Sequence, residues 1–208
     1  MFESGLAAAT RKNLKILKNK SFMGQFYLAG GTVVALYFGH RRSFDLDFFS
    51  EENFDVHALR LELENIGAIT DRVEEDTYLG RLNNEKISFF KYPYPTIERT
   101  IIWNGIKLAS KEDLIAMKIE AISNRGARRD FVDLYVLCSE LSLSDAISLY
   151  EKKYKTSGSN LPHILRSLVY FEDAEKDPEL EFLKNLQWED AKFFFEKETE
   201  QLARKILM

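Results

Sequence analysis

The run GGTVVALYFGHRRSFDLDFF, residues 30–49, constrains this chain more than any other stretch. Near its end Asp45 and Asp47 stand one residue apart among Phe44, Leu46, Phe48 and Phe49. Acid alternating with apolar residues is the pattern of a strand with one polar face, so the spacing predicts both carboxylates on the same side. A strand this apolar belongs in the middle of a sheet, where two acids without partners are expensive. A divalent cation answers that expense. Mg²⁺ takes hard oxygen ligands, one or two of them protein carboxylates, and completes its shell with water and substrate phosphate. The run opens on Gly30, Gly31 and Thr32 at a predicted strand-to-helix junction. There glycine lets the backbone approach phosphate, and a helix N-terminus offers unbonded amides. The plainer readings are a solvated strand face and a tight turn needing positive φ. Both halves in one run point instead to chemistry on a nucleoside triphosphate.

Around this run the chain reads as an α/β half followed by a helical half. LAAATRKNLKILKNK (6–20) has helical spacing, with Leu14 and Leu17 on one face and Arg11, Lys12, Lys15, Lys18 and Lys20 on the other. QFYLA (25–29) reads as a short buried strand, TVVALYF (32–38) as a short helix ended by Gly39, and DLDFF (45–49) as a strand. FDVHALRLELENIG (54–67) reads as a helix capped by Asp55. Two hairpins follow, turning at Asn83-Asn84 and at Asn104-Gly105. Strand signals then stop. Ser110 followed by Asp113 resembles a helix start, and LIAMKIEAISNR, RRDFVDLYVLCSEL, LSLSDAISLYEKKYK and LPHILRSLVYF read as successive helices. A last amphipathic helix is expected over 188–206. The expected domains are 1–109, an α/β unit with a mixed sheet, and 110–208, a helical bundle closing the active-site cleft.

Composition narrows the function classes. A chain of 208 residues, 45% hydrophobic and 30% charged, is long enough to bury a core without staples. The net charge of −4 means that any contact with nucleic acid must come from a local basic patch. One cysteine, Cys138, excludes an internal disulfide framework and suits a reducing cytoplasm. The first residues hold no long apolar run, and no stretch nears the roughly 18 apolar residues that span a bilayer. The expectation is a cytoplasmic protein with no membrane partner. His40, His57 and His163 are scattered without zinc spacing.

The second informative block is AMKIEAISNRGARRDFVDLY (116–135). Asp130 and Asp133 are neighbours on one helix face, with Arg125, Arg128 and Arg129 crowding the turn before them. Guanidinium groups suit phosphate, so these could clamp a triphosphate or RNA backbone; an ordinary ion network such as Arg129 with Asp133 is the plainer reading. An isolated Lys118 would be read as solvated.

Taken together, Gly-Gly-Thr, the Arg41-Arg42-Ser43 approach to D-L-D-F-F, and the second block resemble the AbiEii/AbiGii toxin family of minimal nucleotidyltransferases, of the DNA-polymerase-β type. The resemblance covers most of the chain. It implies a nucleotidyltransferase-type mixed sheet with flanking helices, and transfer of a nucleotide from an NTP to an acceptor hydroxyl. It implies Mg²⁺ or Mn²⁺ on Asp45 and Asp47, phosphate contacts from Gly30, Gly31, Thr32, Arg42, Ser43 and Arg129, and Lys118 on the triphosphate. Asp130 with Asp133 would complete the active-site wall. It further implies the toxin half of a toxin–antitoxin or phage-defence pair, with tRNA or another RNA as acceptor and a cognate antitoxin protein as partner. One position departs from the superfamily pattern. Where a third carboxylate is expected on the neighbouring strand, EKISFFKYP places Ser88, and Glu85 at the strand's start is read as pointing elsewhere. Ser88 supports a rival reading, a catalytically impaired nucleotide- or partner-binding protein on the same fold. A phosphotransferase using similar metal ligands is a third.

Overall fold

The computed structural model describes residues 1–155 and 161–206. The chain divides into two compact units, Met1–Ser110 and Lys111–Met208.

The first unit runs α1 (Ala8–Leu17), β1 (Tyr27–Ala29), α2 (Gly30–Phe38), β2 (Leu46–Ser50), α3 (Val56–Glu64), β3 (Ile69–Glu74), β4 (Thr77–Leu82), β5 (Glu85–Lys91), β6 (Ile101–Trp103) and β7 (Ile106–Leu108). The strands form one seven-stranded mixed sheet in the order β3-β4-β5-β2-β1-β7-β6. β2 lies in its middle, antiparallel to β1 and parallel to β5. That central place follows from its apolar residues. Leu46 and Phe48 are fully buried, and Phe48 stacks on Phe89 of β5 with ring centroids 4.8 Å apart. Asp55 caps α3 as expected, its carboxylate accepting from the amides of His57 and Ala58 at 2.9 and 3.0 Å.

Both hairpins turn where the sequence placed them. Asn83 and Asn84 adopt φ of 50° and 66°, and Asn104 and Gly105 adopt 49° and 84°. These are the left-handed pairs that match the twist of two-residue hairpins, which Asn and Gly tolerate best. Two differences from the sequence reading have simple causes. β2 begins at Leu46, so Asp45 is the residue before the strand and not its first member. β3 was not expected at all. As an edge strand it buries none of its six residues fully and so lacks the apolar alternation that would betray it.

The second unit holds α4 (Lys111–Arg125), α5 (Arg128–Leu137), α6 (Leu143–Tyr154), α7 (Leu161–Ser167), α8 (Glu172–Lys176) and α9 (Trp188–Ile206). Its aromatic core centres on Phe131, whose ring lies 5.1, 5.8 and 5.6 Å from those of Phe171, Trp188 and Phe195. Asp113, read from sequence as part of a helix start, is fully buried and pairs with the equally buried Lys153 at 2.6 Å. α7 stops at Ser167, short of the Phe171 suggested by the apolar run. No helix among the described residues is long and apolar enough to cross a membrane.

Candidate active site

The corner where β1 becomes α2 brings most of the first block together. Ala29, the last residue of β1, is the register partner of Asp47. Gly30 follows with φ of +72°, and a Cβ there would sit 3.2 Å from Asp47 Oδ2. Glycine is therefore required twice, by the left-handed backbone and by the carboxylate pressed against it. α2 starts at this residue, so its first amides, those of Gly30, Gly31 and Thr32 among them, lack partners within the helix. A helix N-terminus and the Asp47 carboxylate thus share one corner, which suits a phosphate bridged to carboxylate by a cation.

The segment leading into the aspartates is tied down on two sides. Thr32 is buried, and its hydroxyl donates to the carbonyl oxygen of Asp45 and bonds the Ser43 hydroxyl at 2.9 Å. On the other side Ser43 donates its amide to Gly5 O at 2.8 Å, and Thr10 donates its hydroxyl to Phe44 O at 3.0 Å. The Thr32 and Ser43 side chains are occupied in this clamp, so their hydroxyls hold the loop and only main-chain groups remain for a phosphate. Arg42 is half-buried beside them, its carbonyl accepting from the Arg41 guanidinium at 3.0 Å. Replacing Thr32 by Val keeps the shape but strips Asp45 O of its donor. We expect a loss of about 1–3 kcal/mol, read from thermal melts, with Thr32→Ser melting near wild type. An unchanged Thr32→Val melt would remove the clamp from the account.

Around the aspartates, the register places Ser88 of β5 directly beside Asp47. Ser88 is buried and, as a hydroxyl, is no general base at neutral pH. Glu85, the carboxylate that sequence set aside, lies within electrostatic reach of Asp45. Partial burial first, and then the negative charge of Asp45, hold the Glu85 carboxyl above its ordinary value. Glu85 follows the Asn83-Asn84 turn, and that tight turn was the one signal that could have pointed it toward Asp45. Among the described residues no three carboxylate, imidazole or thiol groups gather to hold a metal by themselves. Asp45 and Asp47 fit a cation whose remaining ligands come from substrate and water.

The second block forms a buried ion cluster within its own unit. Lys118 Nζ lies 2.7 Å from Asp130 Oδ1 and 2.7 Å from Asp133 Oδ2, with both carboxylates 0% exposed. Arg125 adds a two-pronged contact to Asp130, at 2.7 Å from Nε and 3.0 Å from a terminal nitrogen. Burial alone would push the Asp130 carboxyl up, but the Lys118 charge and the Arg125 hydrogen bonds outweigh it and hold it below its ordinary value. This joins Lys118 and Arg125 of α4 to Asp130 and Asp133 of α5 and fixes the turn between them. Lys118 is therefore buried, against the solvated position its sequence neighbours suggested.

Arg128 is committed elsewhere. It donates to Ala174 O at 3.0 Å and lies over the Trp188 ring at 5.5 Å. Arg129 is exposed, so the Arg129–Asp133 pair suggested by helical spacing gives way to Lys118–Asp133. Of the three histidines, His40 is buried and His57 and His163 are exposed. Burial first, then the charge of Glu198, pushes the Cys138 thiol up to about 12.

Comparison with known proteins gives a consistent set of likenesses. A family model described as a nucleotidyl transferase AbiEii toxin of a type IV toxin–antitoxin system matches residues 14–205. An uncharacterised protein of Aquifex aeolicus strain VF5 is 33% identical over 200 residues, 92% of this chain and 94% of that one. Among solved structures, MenT4, a nucleotidyltransferase toxin of Mycobacterium tuberculosis, aligns with a TM-score of 0.58 at 15% identity. That alignment covers 84% of this chain and 74% of that one. JHP933 of Helicobacter pylori aligns at 0.52 and 18% identity over 94% of this chain and 89% of its own. At such identities the structural likeness concerns the fold.

Proposed function

Because the chain belongs to the AbiEii family of nucleotidyl transferase toxins and is a nucleotidyltransferase, we propose that it moves a nucleotide from an NTP onto a hydroxyl of an RNA, such as a tRNA. The observation that carries this reading is the corner where Asp47 presses on Gly30 at the start of α2. Asp45 and Asp47 would hold Mg²⁺ or Mn²⁺. When bound, that ion would offset the negative charge that develops on the triphosphate and favour ionisation of the attacking hydroxyl. The amides of Gly30, Gly31 and Thr32 receive the β- and γ-phosphates, and Arg42 offsets their charge. The acceptor oxygen bonds to the α-phosphorus as its hydroxyl proton passes to solvent water. The bond from that phosphorus to the bridging oxygen breaks, and pyrophosphate departs. Lys118, Asp130 and Asp133, paired with one another, take a positioning role: they set the turn that carries Arg125 and Arg129. In a type IV toxin–antitoxin pair the protein partner is the cognate antitoxin, and the place of action is the cytoplasm.

Ser88 beside Asp47 favours one rival, an impaired enzyme that binds nucleotide without transferring it. Incubating the full chain with each α-labelled and γ-labelled NTP, Mg²⁺ and total RNA separates the readings. The expected result is α-label, and no γ-label, appearing in RNA. Binding with no transfer under any NTP would sink the proposal in favour of the impaired enzyme. Label passing only from the γ-position would identify a phosphotransferase.

A further inference from the structure

Arg11 and Lys15 of α1 and Lys18, the residue that caps its end, stand on one face, at i, i+4 and i+7. With the β6–β7 hairpin this face encloses a cavity of about 520 Å³ within the first unit. Leu14 and Ile106, both buried, lie among its lining residues with the half-buried Trp103. Arg11, Lys12, Lys15 and Lys18 are all exposed, and Glu3 is the one acid among the residues that line the cavity. In a chain whose net charge is −4, four cations against one carboxylate is a local inversion of sign. Lys12 donates to Asn83 Oδ1 at 3.1 Å. No ion pair with a carboxylate is found for Arg11, Lys15 or Lys18 among the described residues.

We propose that this groove binds single-stranded RNA, with phosphates on Arg11, Lys15 and Lys18 and a base stacked on Trp103. The proposal rests on the RNA-acceptor part of the function given above. Cationic side chains one helical turn apart, about 5–6 Å between Cβ atoms, can track successive phosphates of an extended strand. An aromatic ring in the same cavity supplies sequence-tolerant stacking, which an acidic protein segment would not require. A cavity of this size also lies within the range of roughly 300–1,000 Å³ typical of ligand sites. The groove has a direction as well. The first turns of α1 are bonded to the residues just before Asp45, through Ala7 to Ser43 and Thr10 to Phe44, whereas Lys18 lies beside the Asn104-Gly105 turn. A strand lying along α1 toward its first turn therefore approaches the segment that carries the metal-binding aspartates.

The test is anisotropy of a short fluorescein-labelled single-stranded RNA titrated with the full chain over a range of salt concentrations. The combined variant R11Q/K15Q/K18Q should weaken binding by roughly 30-fold or more and reduce the slope of log affinity against log salt by about 2, near 0.7 per lost phosphate contact. Trp103→Leu should weaken binding about fivefold or more with the slope unchanged, the mark of lost stacking. Circular dichroism checks that each variant folds. The variant D45N/D47N should lose transfer yet bind RNA no more weakly than wild type, so the groove can stand or fall separately from the transfer chemistry. Wild-type affinity in the triple variant, or no RNA binding by the unmodified chain, would overturn the proposal. Polyglutamate displacing the RNA as effectively as unlabelled RNA would overturn it in favour of an acidic protein partner.

Discussion

Replacing Asp45 and Asp47 together by asparagine is expected to lower nucleotidyl transfer on the order of 10³-fold or more while the protein remains folded. In the proposed function the two carboxylates would supply the protein's ligands to a cation that stabilises several kcal/mol of developing charge, and each 1.36 kcal/mol is about a tenfold change in rate. The corner should tolerate the change, because asparagine preserves shape and relieves repulsion. Asp45 helps to hold the Glu85 carboxyl above its ordinary value, so the variant should also let Glu85 titrate lower, visible by NMR. Transfer within tenfold of wild type would remove these residues from the mechanism. An unmoved Glu85 titration would show instead that Asp45 does not stand beside it.

The second large effect concerns stability. Lys118→Met removes the lysine that sits 2.7 Å from both Asp130 and Asp133, each fully buried. Breaking a buried ion pair by deleting one member generally destabilises by about 3–5 kcal/mol, because the remaining charge stays desolvated. In a protein of this length that lowers the melting temperature by on the order of 10 °C. Adding Asp130→Asn and Asp133→Asn to Lys118→Met should recover part of the loss, since the charges then disappear together. Melting of Lys118→Met at the wild-type temperature would show that the cluster contributes nothing net.

The same cluster gives a pH dependence of defined sign. The Asp130 carboxyl is held below its ordinary value in the folded protein, so on acidification the unfolded chain takes up a proton first. Its stabilisation is complete above about pH 4, the ordinary aspartate value, and is lost as pH falls further through the native value. Acid melts of wild type and Asp130→Asn should therefore converge as the pH drops.

The corner of the first unit could be read from the chain because its parts are close in sequence. Sixteen residues lie between Gly30 and Asp47, and turn chemistry, strand alternation and a helix start are all local signals. The Asn83-Asn84 and Asn104-Gly105 hairpins were legible for the same reason, as was the Asp55 cap. What escaped depends on distance or on solvent. Asp113 and Lys153 are 40 residues apart, and nothing near either position reveals the other. β3 carries no apolar alternation because it buries nothing fully. The parallel pairing of β1 with β7 joins Leu28 to Leu108 across most of the first unit. The partner of the Thr32 hydroxyl is decided by packing and not by its place after two glycines, and it is the carbonyl of Asp45.

That one hydroxyl also reduces the number of moving parts. By tying the first turn of α2 to residue 45, Thr32 makes the amide donors and the carboxylates a single mechanical piece. Phosphate and cation sites on separate elements could drift apart and be drawn together by each incoming nucleotide. In the proposed function their spacing would be set when the chain folds, so a nucleotide would conform to the corner more than the corner to the nucleotide.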